Sequence, residues 1–140
     1  MPVIDEAFCS QFGFDPFFRA HAGDLPGDCF VARVIGEEKG LYRLQSSMTD
    51  RFWGVVRGKL RFDAHDSLDL PAVGDWVVAE RDPGSDRGSI QRVLPRKGYL
   101  HRKSAGESEK IQVLAANVDV ALLLTSVNDD LNERRLERYI

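Results

Sequence analysis

Residues 111–140 differ in pattern from the rest of the 140-residue chain. Residues 118–125, VDVALLLT, form an almost unbroken apolar run, which is typical of a strand buried on both faces of a parallel α/β sheet. After a polar turn, residues 131–140, LNERRLERYI, have the spacing of an amphipathic helix. One strand and one helix cannot complete a parallel sheet. The pattern therefore predicts that residues 111–140 are the first β-α unit of a truncated α/β domain.

The central part of the chain has a different pattern, with short apolar stretches separated by turn-forming residues. The predicted strands are residues 30–36, 41–45, 51–58, 75–81 and 88–94. Five short strands at this spacing favour a five-stranded barrel of the oligonucleotide/oligosaccharide-binding (OB) type over residues 30–95. We therefore expect a mainly β protein. Trp76 is predicted to lie in its core, whereas Trp53 fits either core or surface.

Residues 1–29 form an aromatic and acidic N-terminal arm. We expect a short helix or a loose arm that covers the edge of a neighbouring domain, because too many of its residues are aromatic for a solvated tail. Its aromatic side chains are Phe8, Phe12, Phe14, Phe17 and Phe18. Cys9 and Cys29 form neither a disulfide framework nor a zinc pattern, so free thiols are predicted. No signal peptide and no membrane span are recognised, which predicts a cytoplasmic protein.

The net charge of −3 does not suggest a nucleic-acid-binding protein, but the distribution of charge does. Residues 87–103 carry six basic residues and no acidic residue. Such a cluster beside a barrel is typical of phosphate binding, and Tyr99 and His101 could stack on bases. We predict RNA contacts in and beside a basic connector at residues 96–110, and the alternative is a solvated linker. The predicted RNA-binding residues are Arg92, Arg96, Lys97, Arg102 and Lys103, followed by Lys59 and Arg61, which alternate with Arg57.

Two short motifs resemble nucleotide-binding sequences without matching them. GVVRGKL, residues 54–60, has one residue too few between its glycines, and Leu60 stands where a phosphate loop needs Ser or Thr. Its place in an all-β region also predicts that no helix follows it. Asn117-Val118-Asp119 lacks the lysine of a guanine-reading motif, which favours a structural role. No acid–base or nucleophile constellation is present, so we predict no catalytic, cofactor-binding or metal-binding residue in this chain.

Several motifs together resemble one known family, the ribosome-small-subunit-dependent, circularly permuted GTPases called RsgA or YjeQ. They are, in chain order, ARVIGEEKGLYRL (32–44), RGKLRF (57–62), PAVGDWV (71–77), VLPRKGYLHRKSAG (93–106), QVLAANVD (112–119) and NERRLERYI (132–140). The resemblance covers about residues 30–140 and identifies the chain as an N-terminal fragment. One departure is HRKSAG, where the family often has SRKAAG, and it leaves the basic pair Arg102-Lys103 intact.

The resemblance implies an OB barrel followed by a permuted GTPase domain and a zinc-binding helical domain. It implies that the parent protein uses GTP, Mg²⁺ and structural Zn²⁺ and hydrolyses GTP during maturation of the small (30S) ribosomal subunit. It further implies docking on that subunit and its 16S rRNA, near the decoding centre. The phosphate loop, guanine-reading motif and zinc cluster of the family are absent from these 140 residues. The chain itself is therefore expected to be inactive.

A second interpretation remains open from the residues. The barrel could be a free-standing OB module that binds single-stranded nucleic acid or a protein partner without any GTPase activity. The sequence beyond residue 140 distinguishes the two, because a phosphate loop and a Cys/His cluster there would identify the GTPase.

Overall fold

The computed structural model describes residues 4–64, 67–103 and 111–124, together with Arg134 and Glu137. Five strands form a closed barrel in the order β1-β2-β3-β5-β4, in which β3 and β5 are parallel and the other pairs antiparallel. The strands are β1 (Phe30–Glu38), β2 (Leu41–Gln45), β3 (Arg51–Val56), β4 (Trp76–Arg81) and β5 (Arg87–Val93). The predicted five-stranded OB barrel is confirmed.

The interior of the barrel is filled by alternate residues of its strands, as the period of two in a strand requires. Leu44, Phe52 and Ile90 are among its fully buried side chains. Gly54 makes this packing possible, because a Cβ atom at that position would lie 2.6 Å from Cδ1 of Leu44. The first core of the protein is therefore inside the barrel and belongs to its strands.

A helix, α3 (Gly58–Asp63), follows β3 and corrects two predictions. The third strand ends at Val56 instead of residue 58, and a helix does follow the GVVRGKL motif. Residues 59–63 alternate polar and apolar side chains as a strand would, which explains the error. In the helix Leu60 packs against the interior core, whereas Phe62 is 88% exposed. The motif still fails the spacing of a phosphate loop.

The N-terminal arm consists of two short helices, α1 (Glu6–Gln11) and α2 (Pro16–Ala22). Each begins at an aspartate, Asp5 or Asp15, whose carboxylate accepts hydrogen bonds from backbone amides of the first turn. Their aromatic side chains pack on the outer surface of β1 and β4, around Trp76, which is 0% exposed. We call this surface the covered face; it is a second core, outside the barrel, and it also buries the free thiols of Cys9 and Cys29.

A separate two-stranded antiparallel sheet follows the barrel, made of β6 (Tyr99–Lys103) and β7 (Ile111–Ala116). The predicted basic connector at 96–110 is therefore partly a strand. Its basic side chains do not prevent pairing, because all five residues of β6 are exposed and their charges remain in contact with solvent. Residues 104–110 lie outside the described part of the chain.

The two sheets meet at the turn that precedes β4. Ala116 donates a backbone hydrogen bond of 2.8 Å to the carbonyl of Val73, and the Asn117 side chain donates one of 3.0 Å to the carbonyl of Gly74. Gly74 has a φ of +96°, and a Cβ atom there would lie 2.0 Å from the carbonyl oxygen of Ala116. Only glycine allows this approach.

The buried strand predicted at residues 118–125 is wrong for its described part. Residues 118–124 form no strand, and Leu122 and Leu124 are 83% and 94% exposed. An apolar run becomes a buried strand only where neighbouring strands and covering helices receive it, and no described element lies there. Arg134 and Glu137 are helical, while the rest of the helix predicted at 131–140 lies outside the described residues.

Candidate nucleic-acid interface

Arg96 forms a buried ion pair with Asp75, whose side chain is 0% exposed against 10% for the arginine. Its Nε and Nη2 atoms lie 2.8 and 2.6 Å from the two carboxylate oxygens. Nη1 and Nη2 also donate to the backbone carbonyls of Leu68 and Leu70, both at 2.8 Å. A buried carboxylate needs this compensation, so the guanidinium is committed to the fold and is not retained as a phosphate ligand.

Arg92, on β5, is also engaged within the protein. Its guanidinium donates to the carbonyl oxygens of His21, at 2.9 Å, and Ala22. These carbonyls belong to the last turn of α2, where unpaired acceptors and the negative end of the helix dipole favour a cation. Arg92 therefore connects α2 to the barrel. Because its guanidinium is already bonded, we expect it to contribute less to RNA binding than its position in the basic cluster predicts.

Lys97 is half-exposed and pairs with the carboxylate of Asp15, at the start of α2. The hydrogen bond from Lys97 holds the pKa of Asp15 below its ordinary value. The ammonium also lies 5.4 Å from the ring centre of Phe18. Unlike Arg96, this lysine keeps access to solvent, and a surface ion pair of this kind is weak enough to be exchanged for a phosphate.

The remaining predicted cations of the connector lie together on β6. Arg102 and Lys103 are exposed, and Nε of Arg102 lies 2.8 Å from Oε1 of Gln112 on β7. Tyr99 and His101 are exposed on the same strand, with ring centres 5.6 Å apart. Two cations and two neighbouring rings on one exposed strand are a combination that suits phosphates and unstacked bases.

Lys59 and Arg61 are exposed on α3. Residues two apart on a helix point to different sides, so the strand-like alternation predicted for Lys59 and Arg61 is wrong. The helix nevertheless lies near β6, because Leu60 and Asp63 line a cavity of about 620 Å³ together with Tyr99. Lys59 and Arg61 can thus add positive charge near the β6 surface without belonging to it.

A second basic surface was not predicted from the sequence. Arg43, Trp53 and Arg87 are register partners on β2, β3 and β5, so they form a row across three adjacent strands. All three point away from the barrel interior, and Arg87 is exposed. Their sequence separation hides the row, and only the parallel pairing of β3 with β5 brings Arg87 beside Trp53.

The described residues hold no group of three His, Cys, Asp or Glu side chains arranged to bind a metal ion. Within the same residues, no helix has the length and apolar character needed to cross a membrane. Asn117 has a structural role, since its side chain accepts from the Lys97 amide at 2.9 Å while donating to Gly74.

The closed five-stranded barrel, with a helix between its third and fourth strands, defines a protein of the OB-fold class. Over the part that it shares with them, the chain belongs to the RsgA family of small ribosomal subunit biogenesis GTPases. It is 43% identical to RsgA 1 of Oceanobacillus iheyensis over 110 residues, which are 79% of this chain and 31% of that protein. It is 35% identical to RsgA of Opitutus terrae over 140 residues, 94% of this chain and 38% of that protein.

The chain thus spans 31–38% of the length of these curated relatives. Among solved structures it is similar to YloQ, described as a circularly permuted GTPase, with a TM-score of 0.51 and 22% identity. The match covers 85% of this chain and 36% of YloQ, and it supports the fold. No protein-family model matches the chain.

Proposed function

We propose that this chain is the RNA-docking part of a GTPase that acts in small-subunit biogenesis, and that β6 is its principal contact with 16S rRNA. The observation that carries this proposal is strand β6, whose five residues are all exposed and which carries Tyr99, His101, Arg102 and Lys103. Arg102 and Lys103 bind phosphates, Lys97 joins them by leaving Asp15, and Lys59 and Arg61 add charge nearby. Arg92 and Arg96 support this surface from within the fold.

The activity belongs to the whole protein under this proposal. GTP hydrolysis with Mg²⁺, and a structural Zn²⁺ site, are assigned to parts of the relatives that this chain does not match. The 140 residues contain no phosphate loop and no guanine-reading motif. We therefore expect the chain alone neither to bind nor to hydrolyse GTP, and we place the protein in the cytoplasm, where ribosomes are assembled.

The test is co-sedimentation of the chain with purified small ribosomal subunits at several salt concentrations. Changing both Arg102 and Lys103 to Gln should weaken binding and reduce the salt dependence by roughly 0.7–0.9 in log–log slope for each lost phosphate contact. The matched control is Ser10→Glu with Gln11→Glu, which lowers the net charge equally on exposed positions of α1. Equal binding by both double variants would contradict docking through β6.

A free-standing OB module is the second candidate, because the barrel is closed and has its own core without help from other domains. This hypothesis predicts that the chain binds single-stranded oligonucleotides tightly and does not bind small ribosomal subunits. Failure of the wild-type chain to co-sediment at low salt, with oligonucleotide binding intact, would favour it.

A further inference from the structure

The outward-facing side of β2, β3 and β5, which we call the open face, is unlike the covered face in charge and exposure. These three strands, LYRLQ, RFWGVV and RGSIQRV, contain arginines and no carboxylate. By contrast β1 carries Glu37 and Glu38, and β4 carries Glu80. The apolar residues that point outward here, Leu41 and Val55, are 43% and 46% exposed. The open face is therefore an accessible and positively charged surface.

The tryptophan of this face is held by its neighbours. The guanidinium carbon of Arg43 lies 4.9 Å from the centre of the Trp53 indole, within the range of a cation–π contact. Arg43 and Trp53 are directly opposed on β2 and β3, where facing side chains are close enough to order each other. Arg87 stands on the other side of Trp53, on β5. The indole thus lies between two arginines on neighbouring strands, and one of them, Arg43, contacts its ring.

We propose that the row Arg43–Trp53–Arg87 is a stacking platform for a base of single-stranded RNA, separate from the β6 surface. An indole or guanidinium plane offers a nucleobase a stacking partner, and the flanking guanidinium charges suit the phosphates on either side of that base. The row needs no sequence readout, because every base has a π-face. It accepts unpaired nucleotides and excludes duplex RNA, whose bases are already stacked on each other.

Further cations continue from this row toward α3. β3 leads directly to Arg57, whose amide donates to the Ile90 carbonyl at 3.0 Å and whose side chain bonds Gln91. Arg57 and Lys59 line one cavity of about 330 Å³. A strand of RNA with one base on Trp53 can therefore pass its backbone over Arg57 and Lys59.

Of the nearby carboxylates, Asp50 is neutralised by an ion pair, whereas Glu80 keeps its charge and Asp63 lines the same cavity as Arg57 and Lys59, so both narrow the path for phosphate. Asp50 pairs with Arg81 at 2.8 Å, and Glu80 accepts from Gln91 at 3.0 Å. Asp82 and Asp86, exposed in the loop between β4 and β5, repel phosphate and limit the site at that end. The expected direction of the bound strand is therefore away from this loop, toward α3.

The chain has two tryptophans, and this permits a direct readout. Trp76 is 0% exposed, so a bound base can quench only Trp53. A single-stranded RNA of about ten nucleotides, within the usual site size of an OB fold, should quench the emission of the wild-type protein. Trp53→Phe should abolish the quenching and largely keep the affinity measured by anisotropy of labelled RNA. Trp53→Ala should weaken binding roughly 5- to 150-fold, which corresponds to one lost stacked base.

Four controls separate stacking from charge. Ile35→Ala, at an exposed position of β1, should bind like the wild type. Inorganic polyphosphate should bind the Trp53→Ala variant and the wild type equally, since it has no base. Arg87→Gln should lower the log–log salt slope for the RNA by roughly 0.7. A blunt duplex of the same length should leave Trp53 emission unchanged.

Unchanged RNA affinity in a folded Trp53→Ala variant would overturn the proposal, as would an equal loss in Ile35→Ala. Circular dichroism and urea unfolding establish that each variant is folded. This test uses free oligonucleotides and leaves β6 intact, so it is independent of the co-sedimentation of Arg102 and Lys103 variants. Either proposal can therefore fail without the other.

Discussion

Each outer face of the barrel carries a tryptophan beside an arginine, and the two pairs differ in what covers them. Trp76 lies 5.2 Å from the guanidinium carbon of Arg33 on the covered face, and Trp53 lies 4.9 Å from that of Arg43 on the open face. Trp76 is fully buried because α1 and α2 place Phe8, Phe14 and Phe18 around it, whereas Trp53 is partly exposed. The same local pair becomes core or surface according to whether the chain supplies a cover.

The arginines show the same contrast. On the covered side, Arg33 donates to the carbonyl of Phe12 at 2.7 Å, and burial lowers its pKa from the ordinary value. Arg92 and Arg96 are likewise committed to carbonyls and a carboxylate. On the open side, Arg43 lies over an indole and Arg87 is exposed. Of these arginines, the ones whose guanidinium groups are not hydrogen-bonded within the protein are therefore available to a ligand, and they lie on the open face.

The largest expected effect separates the two tryptophans. Trp76→Ala should lower the free energy of unfolding by about 4 kcal/mol, because it leaves a cavity between the barrel and the arm. Trp53→Ala should cost less than about 1 kcal/mol, since it removes a partly exposed ring and one cation–π contact. Urea unfolding followed by circular dichroism measures both. Similar losses would mean that the open face is as much a core as the covered one.

Arg96 and Arg87 should also differ in their contribution to the free energy of unfolding, by somewhat less than the two tryptophans do. Arg96→Met should lower the free energy of unfolding by about 3 kcal/mol, because Asp75 would remain buried without its partner. Arg87→Gln should stay within about 0.5 kcal/mol of the wild type. The double variant Asp75→Leu with Arg96→Met should recover part of the loss, as measured in the same urea series. No recovery would argue against the ion pair as its cause.

The pH dependence of stability should report the Asp15–Lys97 contact. The folded pKa of Asp15 lies below its ordinary value of 3.8, chiefly through the hydrogen bond from Lys97. Its stabilising contribution is therefore complete above that value and is lost as the pH falls through the lower folded pKa. Lys97→Met should reduce the decrease in Tm below about pH 4, whereas Lys59→Met should leave it unchanged. Identical acid profiles for the wild type and Lys97→Met would show that the Asp15–Lys97 contact does not contribute to stability, and would leave the hydrogen bonds from Phe17 and Phe18 as the cause of the lowered pKa of Asp15.

The smallest effect concerns the thiols under the arm. Burial raises the pKa of Cys9 to about 11 and also raises that of Cys29. Neither should react measurably with iodoacetamide at neutral pH in the native protein, because a buried thiol is both protonated and inaccessible. Mass spectrometry of the alkylated chain measures this. Faster labelling of Cys9 in Trp76→Ala would show local opening of the covered face, and equally slow labelling would show that the arm stays closed.

The number and approximate limits of the barrel strands could be predicted because alternate apolar residues record which side of a strand is buried. Trp76 was assigned to the core by the same pattern, although its core lies outside the barrel. α3 could not be predicted because Lys59 to Asp63 alternate polar and apolar residues, which is the pattern of a strand. The helical arm could be anticipated only as an aromatic segment in need of a surface.

Pairings between distant residues could not be predicted. Arg96 and Asp75 are 21 residues apart, and nothing in the basic cluster distinguishes Arg96 from Lys103. Trp53 and Arg87 meet only through the parallel register of β3 and β5. The prediction for residues 118–124 failed for a different reason. Their apolar composition is that of a strand covered on both faces, but the described residues do not cover them.

The joint between the barrel and the β6–β7 sheet has an evolutionary consequence. The hydrogen bond from Ala116 to Val73 runs from amide to carbonyl, at 2.8 Å, so it needs no particular side-chain chemistry, although Ala116 is buried and its size matters. Among the described residues of the joint, Gly74 and Asn117 contribute something that other residues cannot easily replace. Substitutions at Gly74 or Asn117 are therefore the ones expected to change the relative orientation of the two sheets.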